Sequence, residues 1–124
     1  MVKEIELIEH DATSCGTEYP EKIRAVRDTM DILSGKWKIQ IIGALRFMGK
    51  MRFMDLLREV DGIAAKMLSK ELQDLEQNKL VSRTVCNTKP ITVEYAITDY
   101  GKSLDKVIIE IVNWGIEHRK TIMS

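Results

Sequence analysis

The chain has 124 residues, a mass of 14.2 kDa, and 19 basic and 19 acidic side chains. That length matches about one domain and excludes a second folded one, and a formal net charge of zero argues against a strongly basic nucleic-acid binder. Cys15 and Cys86 are too few for a secreted disulfide framework and lack the spacing of a zinc site. Without a long apolar run or a signal-peptide pattern, we expect no membrane span and a cytoplasmic protein.

The charge is not spread evenly along the chain. Residues 1–34 carry a net charge of −4, residues 35–92 a net charge of +5, and residues 93–124 a net charge of −1. A basic middle between acidic flanks is typical of a segment that meets a polyanion, and an excess of this size also occurs on ordinary solvated surfaces.

The first third of the chain predicts an arm and two helices. Residues 1–20 are largely polar and end at a proline, which predicts a loosely held arm before a folded domain over 21–124. From Glu21 the apolar residues follow the three-and-four spacing of one helical face as far as Gly35. A second helix with a wide, mostly buried apolar stripe begins near Trp37 and stops at Gly49.

Two short helices and a tight turn come next. Residues 50–52 predict an extended piece, residues 53–60 a helix, Asp61-Gly62 a turn, and residues 64–79 a helix again. The last of these helices has leucines on one side and a polar open face on the other. That open face consists of Lys66, Ser69, Lys70, Gln73 and Gln77.

The apolar period then changes from 3.6 to 2, which predicts a β-hairpin over 81–98 with a polar, lysine-bearing tip. Arg83 is placed to pair with Glu94 across this hairpin. Thr98 is a good N-cap for a last helix over 99–121. Because that helix is apolar around more than half of its circumference, we predict that part of it is a subunit interface.

This order of elements is that of a winged helix-turn-helix, an α+β fold that is mainly helical. In such a module the second helix of the pair, here 64–79, enters the major groove of DNA, and the hairpin tip, or wing, touches the DNA backbone or the adjacent minor groove.

Several short motifs occur in a fixed order along the chain. They are Gly35-Lys36-Trp37-Lys38, Arg52-Phe53, Leu56-Leu57-Arg58, Gly62-Ile63, Lys66-Met67-Leu68, Leu80-Val81-Ser82-Arg83, Val93-Glu94-Tyr95, Thr98, Gly101 and Trp114-Gly115. Their joint order resembles the HxlR-type winged helix-turn-helix transcriptional regulators over roughly residues 23–118. The resemblance implies a homodimer joined by its N- and C-terminal helices, which binds a pseudo-palindromic DNA operator.

The chain departs from the family pattern at two places. Many members carry a Cys-Pro pair thirteen residues before the tryptophan, where the thiol senses electrophiles or oxidants, and Arg24-Ala25 stands there in this chain. Cys15, nine residues further upstream, is either a displaced sensor or an ordinary cysteine in a flexible arm. The second departure is Ala64, where a serine commonly begins the recognition helix, so a capping or phosphate-contacting hydroxyl is absent.

The candidate DNA contacts fall into three groups. On the recognition helix, lysine suits guanine or phosphate, and glutamine suits adenine. The short strand and the wing tip supply phosphate clamps, and Lys36, with its neighbour Lys38, begins a helix that favours an anion. For each of these residues the alternative is a solvated surface side chain; Met67 either touches a thymine methyl or packs under the helix. The candidates are Ala65, Lys66, Met67, Ser69, Lys70 and Gln73, then Lys50, Arg52, Thr88 and Lys89, and then Lys36.

The remaining notable residues favour structural roles. Trp37 and Trp114 are expected in the core, and His118 is expected to be exposed. Cys86 is expected to be passive; the alternative is a disulfide with Cys15 across the dimer. We expect no enzyme, metal site, cofactor or membrane association, since the sequence contains no phosphate loop, metal-ligand cluster or catalytic triad pattern. The sequence predicts a dimeric operator-binding regulator that acts as a repressor, with an electrophile or oxidant as inducer; the alternative is a protein-interaction module that kept the winged fold and lost operator binding.

Overall fold

The structure is a computed structural model that describes residues 18–124. The chain folds as two compact units, which are divided between Ser34 and Gly35. The first unit contributes helix α1, Glu18–Leu33. This helix begins three residues before the predicted start, because Pro20 fits in the first turn, where a backbone amide has no intrahelical acceptor. Cys15 lies outside the described residues, as does most of the predicted arm.

The second unit contains all the remaining elements and confirms the predicted winged helix-turn-helix order. Helices α2 and α3 flank a short strand β1, α4 follows a turn, β2 and β3 form the wing, and a 3-10 turn leads into the long helix α5. The bounds are α2 Lys38–Met48, β1 Met51–Arg52, α3 Phe53–Glu59, α4 Ala65–Gln77, β2 Val81–Cys86, β3 Thr92–Ile97, the 3-10 turn Gly101–Leu104 and α5 Asp105–Met123.

Apolar side chains at helical spacing build the core of the second unit. Each of α2 and α4 buries one stripe of residues spaced three and four apart, and α3 and β2 add one fully buried residue each. Since the leucine stripe of α4 is buried, the helix presents its polar side to solvent. The most deeply buried side chains are Ile41, Ile42, Leu45, Leu56, Leu68, Leu72, Leu75 and Val81.

Residues with left-handed backbone conformations precede and follow helix α4. Gly62, in the turn between α3 and α4, has φ +86°, a conformation that glycine adopts at no steric cost. Lys79 has φ 64°, and the amide of Leu80 donates to the carbonyl of Leu75 at 3.0 Å, so α4 ends at Gln77 and not at Lys79 as predicted.

The sheet has three antiparallel strands in the order β1-β3-β2. The register places Arg83 opposite Tyr95 and Thr84 opposite Glu94. The predicted Arg83–Glu94 pair is therefore wrong, because side chains alternate between the two faces of a strand and these two point to opposite faces. Glu94 instead accepts a hydrogen bond from the thiol of Cys86.

Thr98 joins the end of the wing to the loop after α4. Its amide donates to the carbonyl of Leu80 at 3.1 Å, and its hydroxyl donates to the carbonyl of Lys79 at 2.6 Å. The same hydroxyl accepts the amide of Gly101 at 2.9 Å. Thr98 thus caps a helical turn, as predicted, but this turn is 3-10, and the α-helix begins only at Asp105.

A bidentate ion pair ties α5 to α2. Arg46 Nε and Nη2 donate to the two carboxylate oxygens of Asp105 at 2.8 and 2.7 Å. These hydrogen bonds lower the pKa of Asp105 and raise the pKa of Arg46, so both groups keep their charges. The contact holds the first turn of α5 against the body of the domain.

Helix α5 is unlike the other helices of the second unit, since none of its side chains is buried. Trp114 is 61% exposed and stacks on His118 with ring centroids 4.7 Å apart, so the prediction of a core tryptophan is wrong there, while Trp37 is half-buried. Within residues 18–124, no helix is long and apolar enough to cross a membrane. The other exposed apolar residues of α5 are Val107, Ile109, Ile111, Val112, Ile116, Ile122 and Met123.

Candidate nucleic-acid interface

The outward face of α4 carries the predicted base-contacting side chains. Lys66, Ser69, Lys70 and Gln73 are all exposed and follow the spacing of one helical face. Gln77 extends the same face by a further turn, beyond the predicted contacts. Ala65 and Met67 are also exposed, beside this face. The arrangement offers cationic and amide groups on one side of a helix whose other side is fixed in the core.

The N-terminus of α4 has no acidic residue in its first turn. Its free amides and the positive end of the helix dipole therefore favour a phosphate there. Ala64 occupies the N-cap position in the extended conformation that a cap requires, with φ −80° and ψ 149°. Because alanine has no side-chain acceptor, the departure seen in the sequence leaves a real cap position without its hydrogen bond.

Replacing Ala64 by serine should raise the free energy of unfolding by about 1 kcal/mol, since the hydroxyl would accept an orphan amide of the first turn of α4. Urea unfolding followed by circular dichroism measures the change. Ala65→Ser is the matched control, because its hydroxyl enters inside the helix and supplies no cap. Equal stabilities of the two variants would contradict the assignment of Ala64 as the cap.

The phosphate-clamp candidates lie around the sheet. Arg52 ends β1 opposite Glu94 of β3, so the β1–β3 pairing brings it to the wing, and Lys50 directly precedes β1. Thr88 and Lys89 lie at the exposed wing tip, where the hydroxyl of Thr88 donates to the carbonyl of Pro90 at 2.8 Å. All four candidates are exposed.

The two lysines that flank Trp37 have different surroundings. Lys36 is exposed and its ammonium lies 4.6 Å from the centroid of the Trp37 ring, which leaves it able to reach a phosphate. Lys38 is only 5% exposed and its ammonium lies 3.1 Å from each carboxylate oxygen of Glu71. Of this pair of lysines, only Lys36 remains a candidate for contact with DNA.

Cys86 ends β2 near the wing tip and its thiol donates to Oε1 of Glu94 at 2.8 Å. This hydrogen bond to a carboxylate, together with burial, raises the pKa of the Cys86 thiol. Since the thiolate is the reactive form, Cys86 reacts more slowly than an ordinary cysteine at neutral pH. The geometry fits the passive role expected for it.

The sequence reasoning missed the contact of Lys38 with Glu71. Glu71 lies between Leu68 and Leu72 on the buried face of α4 and is 5% exposed. A charged residue on an apolar stripe was the available signal, because acidic side chains are almost never fully buried without a partner. For metal binding, no cluster of three histidine, cysteine or carboxylate side chains occurs among residues 18–124.

Comparison with known proteins identifies this architecture. The family model described as HxlR-like helix-turn-helix matches residues 32–123. The chain is 36% identical over 94 residues to the HTH-type transcriptional regulator YtcD of Bacillus subtilis, a match covering 76% of this chain and 74% of YtcD. It is 34% identical over 107 residues to YybR of the same organism, covering 86% of this chain and 85% of YybR.

Solved structures agree with these relatives. The redox regulator HypR in its reduced form superposes with a TM-score of 0.73 at 31% identity, covering 80% of this chain and 97% of HypR. Diamide-treated YodB from B. subtilis superposes with a TM-score of 0.64 at 32% identity, covering 73% of this chain and 89% of YodB. The chain belongs to the HxlR-like helix-turn-helix family of DNA-binding transcriptional regulators, and it is not an enzyme.

Proposed function

We propose that this protein is a homodimeric repressor that binds a pseudo-palindromic operator through α4 of each subunit. The carrying observation is the exposed polar face of α4, which Lys66, Ser69, Lys70 and Gln73 form while the opposite face is locked in the core. Side chains of these types can read base edges in the major groove. The two α4 helices of the dimer would enter the major groove about 34 Å apart, which is one helical turn of the duplex.

The surface of α5 supports the dimer. A helix of 19 residues with no buried side chain and an apolar surface that includes Trp114 needs a cover in water. In the first unit, Val26 and Met30 of α1 are likewise exposed. We propose that the partner subunit covers these surfaces, so that the dimer helices set the spacing between the two copies of α4.

Phosphate contacts complete the proposed interface. Lys36, Lys50, Arg52, Thr88 and Lys89 would hold the DNA backbone on either side of α4. Because the second unit has only a modest excess of positive charge, affinity would depend on these few placed groups, each present twice in the dimer. Ala65 and Met67 would lie close to the groove edge, where a methionine methyl can meet a thymine methyl.

The DNA contacts are tested with a duplex enriched from a random library on the wild-type protein. Affinity is measured across a salt series for wild type, Lys66→Ala, Lys70→Ala and Arg52→Ala. Removing one phosphate contact should reduce the slope of log K against log salt by about 0.9, and by twice that in a dimer. Lys120→Ala, at an exposed site on α5, is the matched control and should leave the slope unchanged.

The regulator proposal fails if the wild-type protein enriches no duplex and forms no sequence-specific complex at moderate salt. That result would favour the alternative of a winged-helix interaction module. Three variants with both the affinity and the slope of wild type, beside a wild-type protein that does bind a selected duplex, would remove these side chains from the interface while keeping the regulator.

We also propose that an oxidant or electrophile acts through Cys15. The support is the description of HypR as a redox regulator and the diamide treatment of YodB. Diamide or a quinone should change the affinity of wild type for the selected duplex, and should not change that of Cys15→Ser. Cys86→Ser is the matched control and should respond like wild type, because the contact with Glu94 keeps that thiol protonated. If the affinity of Cys15→Ser changes with the oxidant as much as that of wild type does, Cys15 is removed from the mechanism.

A further inference from the structure

The motif Gly35-Lys36-Trp37-Lys38 lies directly against the recognition helix and the turn before it. Lys38 Nζ is 3.1 Å from both carboxylate oxygens of Glu71 and 3.4 Å from Oδ2 of Asp74, and both carboxylates belong to α4. A Cβ atom placed on Gly62 would lie 3.8 Å from the Trp37 ring. One motif therefore contacts α4 through an ion pair and places an aromatic ring beside the turn.

A buried ion pair is a poor way to gain stability. Removing two charges from water costs nearly as much as their attraction returns, and an apolar pair of similar volume is often equally good or better. Lys38 and Glu71 are each 5% exposed, in a core whose other buried side chains are leucine, isoleucine and valine together with Met51 and Tyr95. Stability alone therefore does not account for this pair.

The ion pair adds to the leucine stripe a contact that depends on the orientation of α4. Apolar contacts tolerate small rotations and slides, because burial does not depend on orientation. An ammonium that touches both oxygens of one carboxylate no longer does so when the carboxylate turns or shifts. Since Glu71 is one residue from Lys70 and two from Gln73 on the same rigid helix, its anchoring fixes where those side chains point.

The pair also affects the charge of α4. Besides Lys66 and Lys70, the helix carries Glu71, Asp74 and Glu76. Lys38 offsets the first two of these carboxylates from beneath. One ammonium charge balances only one of these two carboxylate charges, so the negative charge behind the groove-facing side is reduced and not removed.

We propose that Lys38, Glu71 and Asp74 are positioning residues that fix the orientation of α4 on α2 and thereby set the preference for operator over other DNA, without touching DNA themselves. The inference rests on the proposed function and adds to it a determinant of specificity outside the interface.

The test compares two affinities at one salt concentration, for the duplex enriched on wild type and for a random-sequence duplex of equal length. The main variant is Lys38→Met with Glu71→Leu, which keeps the net charge and therefore the sequence-independent attraction to phosphates. Its affinity for the selected duplex should fall at least about tenfold, as when one base contact is removed, with random-duplex affinity changed by less than about twofold. Lys102→Met with Asp99→Asn removes an exposed pair of the same charges and should change neither affinity.

Glu71→Gln extends the test as a near-isosteric variant. In this variant one acceptor oxygen remains for Lys38. The ratio of its affinity for the selected duplex to its affinity for the random duplex should therefore fall about threefold, to a value between those of wild type and the double variant. If the double variant does not fold, the ratio measured for Glu71→Gln decides alone. A ratio equal to that of wild type then overturns the inference. A folded double variant with the wild-type ratio overturns it as well. A wild-type protein that enriches no duplex would instead overturn the proposed function, and this inference with it.

Discussion

Replacing Lys38 by methionine should lower the free energy of unfolding by about 3–5 kcal/mol, because the Glu71 carboxylate would stay buried without a countercharge. In the structure Glu71 is 5% exposed, and each oxygen of its carboxylate lies 3.1 Å from the Lys38 ammonium. Asp74 loses the same partner but is partly exposed, so water replaces it. Since domains are typically stable by about 5–15 kcal/mol, the loss is a large share of the total.

Urea unfolding of wild type, Lys38→Met and the double variant with Glu71→Leu measures this effect. The double variant should return to within about 1–2 kcal/mol of wild type, since it removes both charges and leaves apolar side chains of similar size. Lys102→Met is the matched control and should change stability by less than about 0.5 kcal/mol, because Asp99, its partner, is fully exposed. A loss below about 1 kcal/mol in Lys38→Met would show that water reaches Glu71.

This ion pair illustrates how far a single sequence predicts a fold. Lys38 stands three residues before Ile41, and Glu71 stands three residues after Leu68, so each charge occupies a core position of its own helix. Periodicity thus predicts that both residues are buried, and their residue types give them opposite charges. It does not show that they meet, because a helical stripe tells which face is covered and not which element covers it.

The wing shows the same limit at the level of register. A change of period from 3.6 to 2 predicts both strands, and the structure places β2 and β3 within the predicted hairpin. Which residues face each other depends on the length of the turn, and the observed register separates Arg83 from Glu94. Glu94 contacts Cys86 instead, and it is this contact that raises the pKa of the thiol.

Helix α5 shows why core and interface look alike in a sequence. Its apolar circumference predicts that part of it is a subunit interface, whereas Trp114 is predicted in the core and is exposed in the single chain. Both a core and a subunit interface exclude water from the same residue types, so composition alone does not separate them. The exposure of the candidate residues on α4 was easier to predict, because polar residues opposite a leucine stripe have few places to point other than solvent.

Replacing Gly101 by alanine should lower the free energy of unfolding by about 3 kcal/mol, at the upper end of what overpacking costs. A Cβ atom at this position would lie 2.3 Å from the carbonyl oxygen of Leu80 and 2.9 Å from Cγ2 of Ile97. The side chain of Ile97 can give way, but the Leu80 carbonyl is backbone and already accepts the amide of Thr98 at 3.1 Å. Relief of the clash therefore breaks that hydrogen bond and disturbs the Thr98 cap of the 3-10 turn.

Because this turn leads directly into α5, Gly101→Ala should also loosen the contact between Arg46 and Asp105 at the start of that helix. Thermal and urea unfolding measure the loss of stability. The matched control is Gly43→Ala in α2, where no described atom beyond the helix's own backbone and the adjacent residues lies within 4 Å of the new Cβ, so that variant should gain about 0.5–1 kcal/mol from helix propensity. If the two variants changed stability equally, the close approach of Gly101 to Leu80 would not constrain the fold.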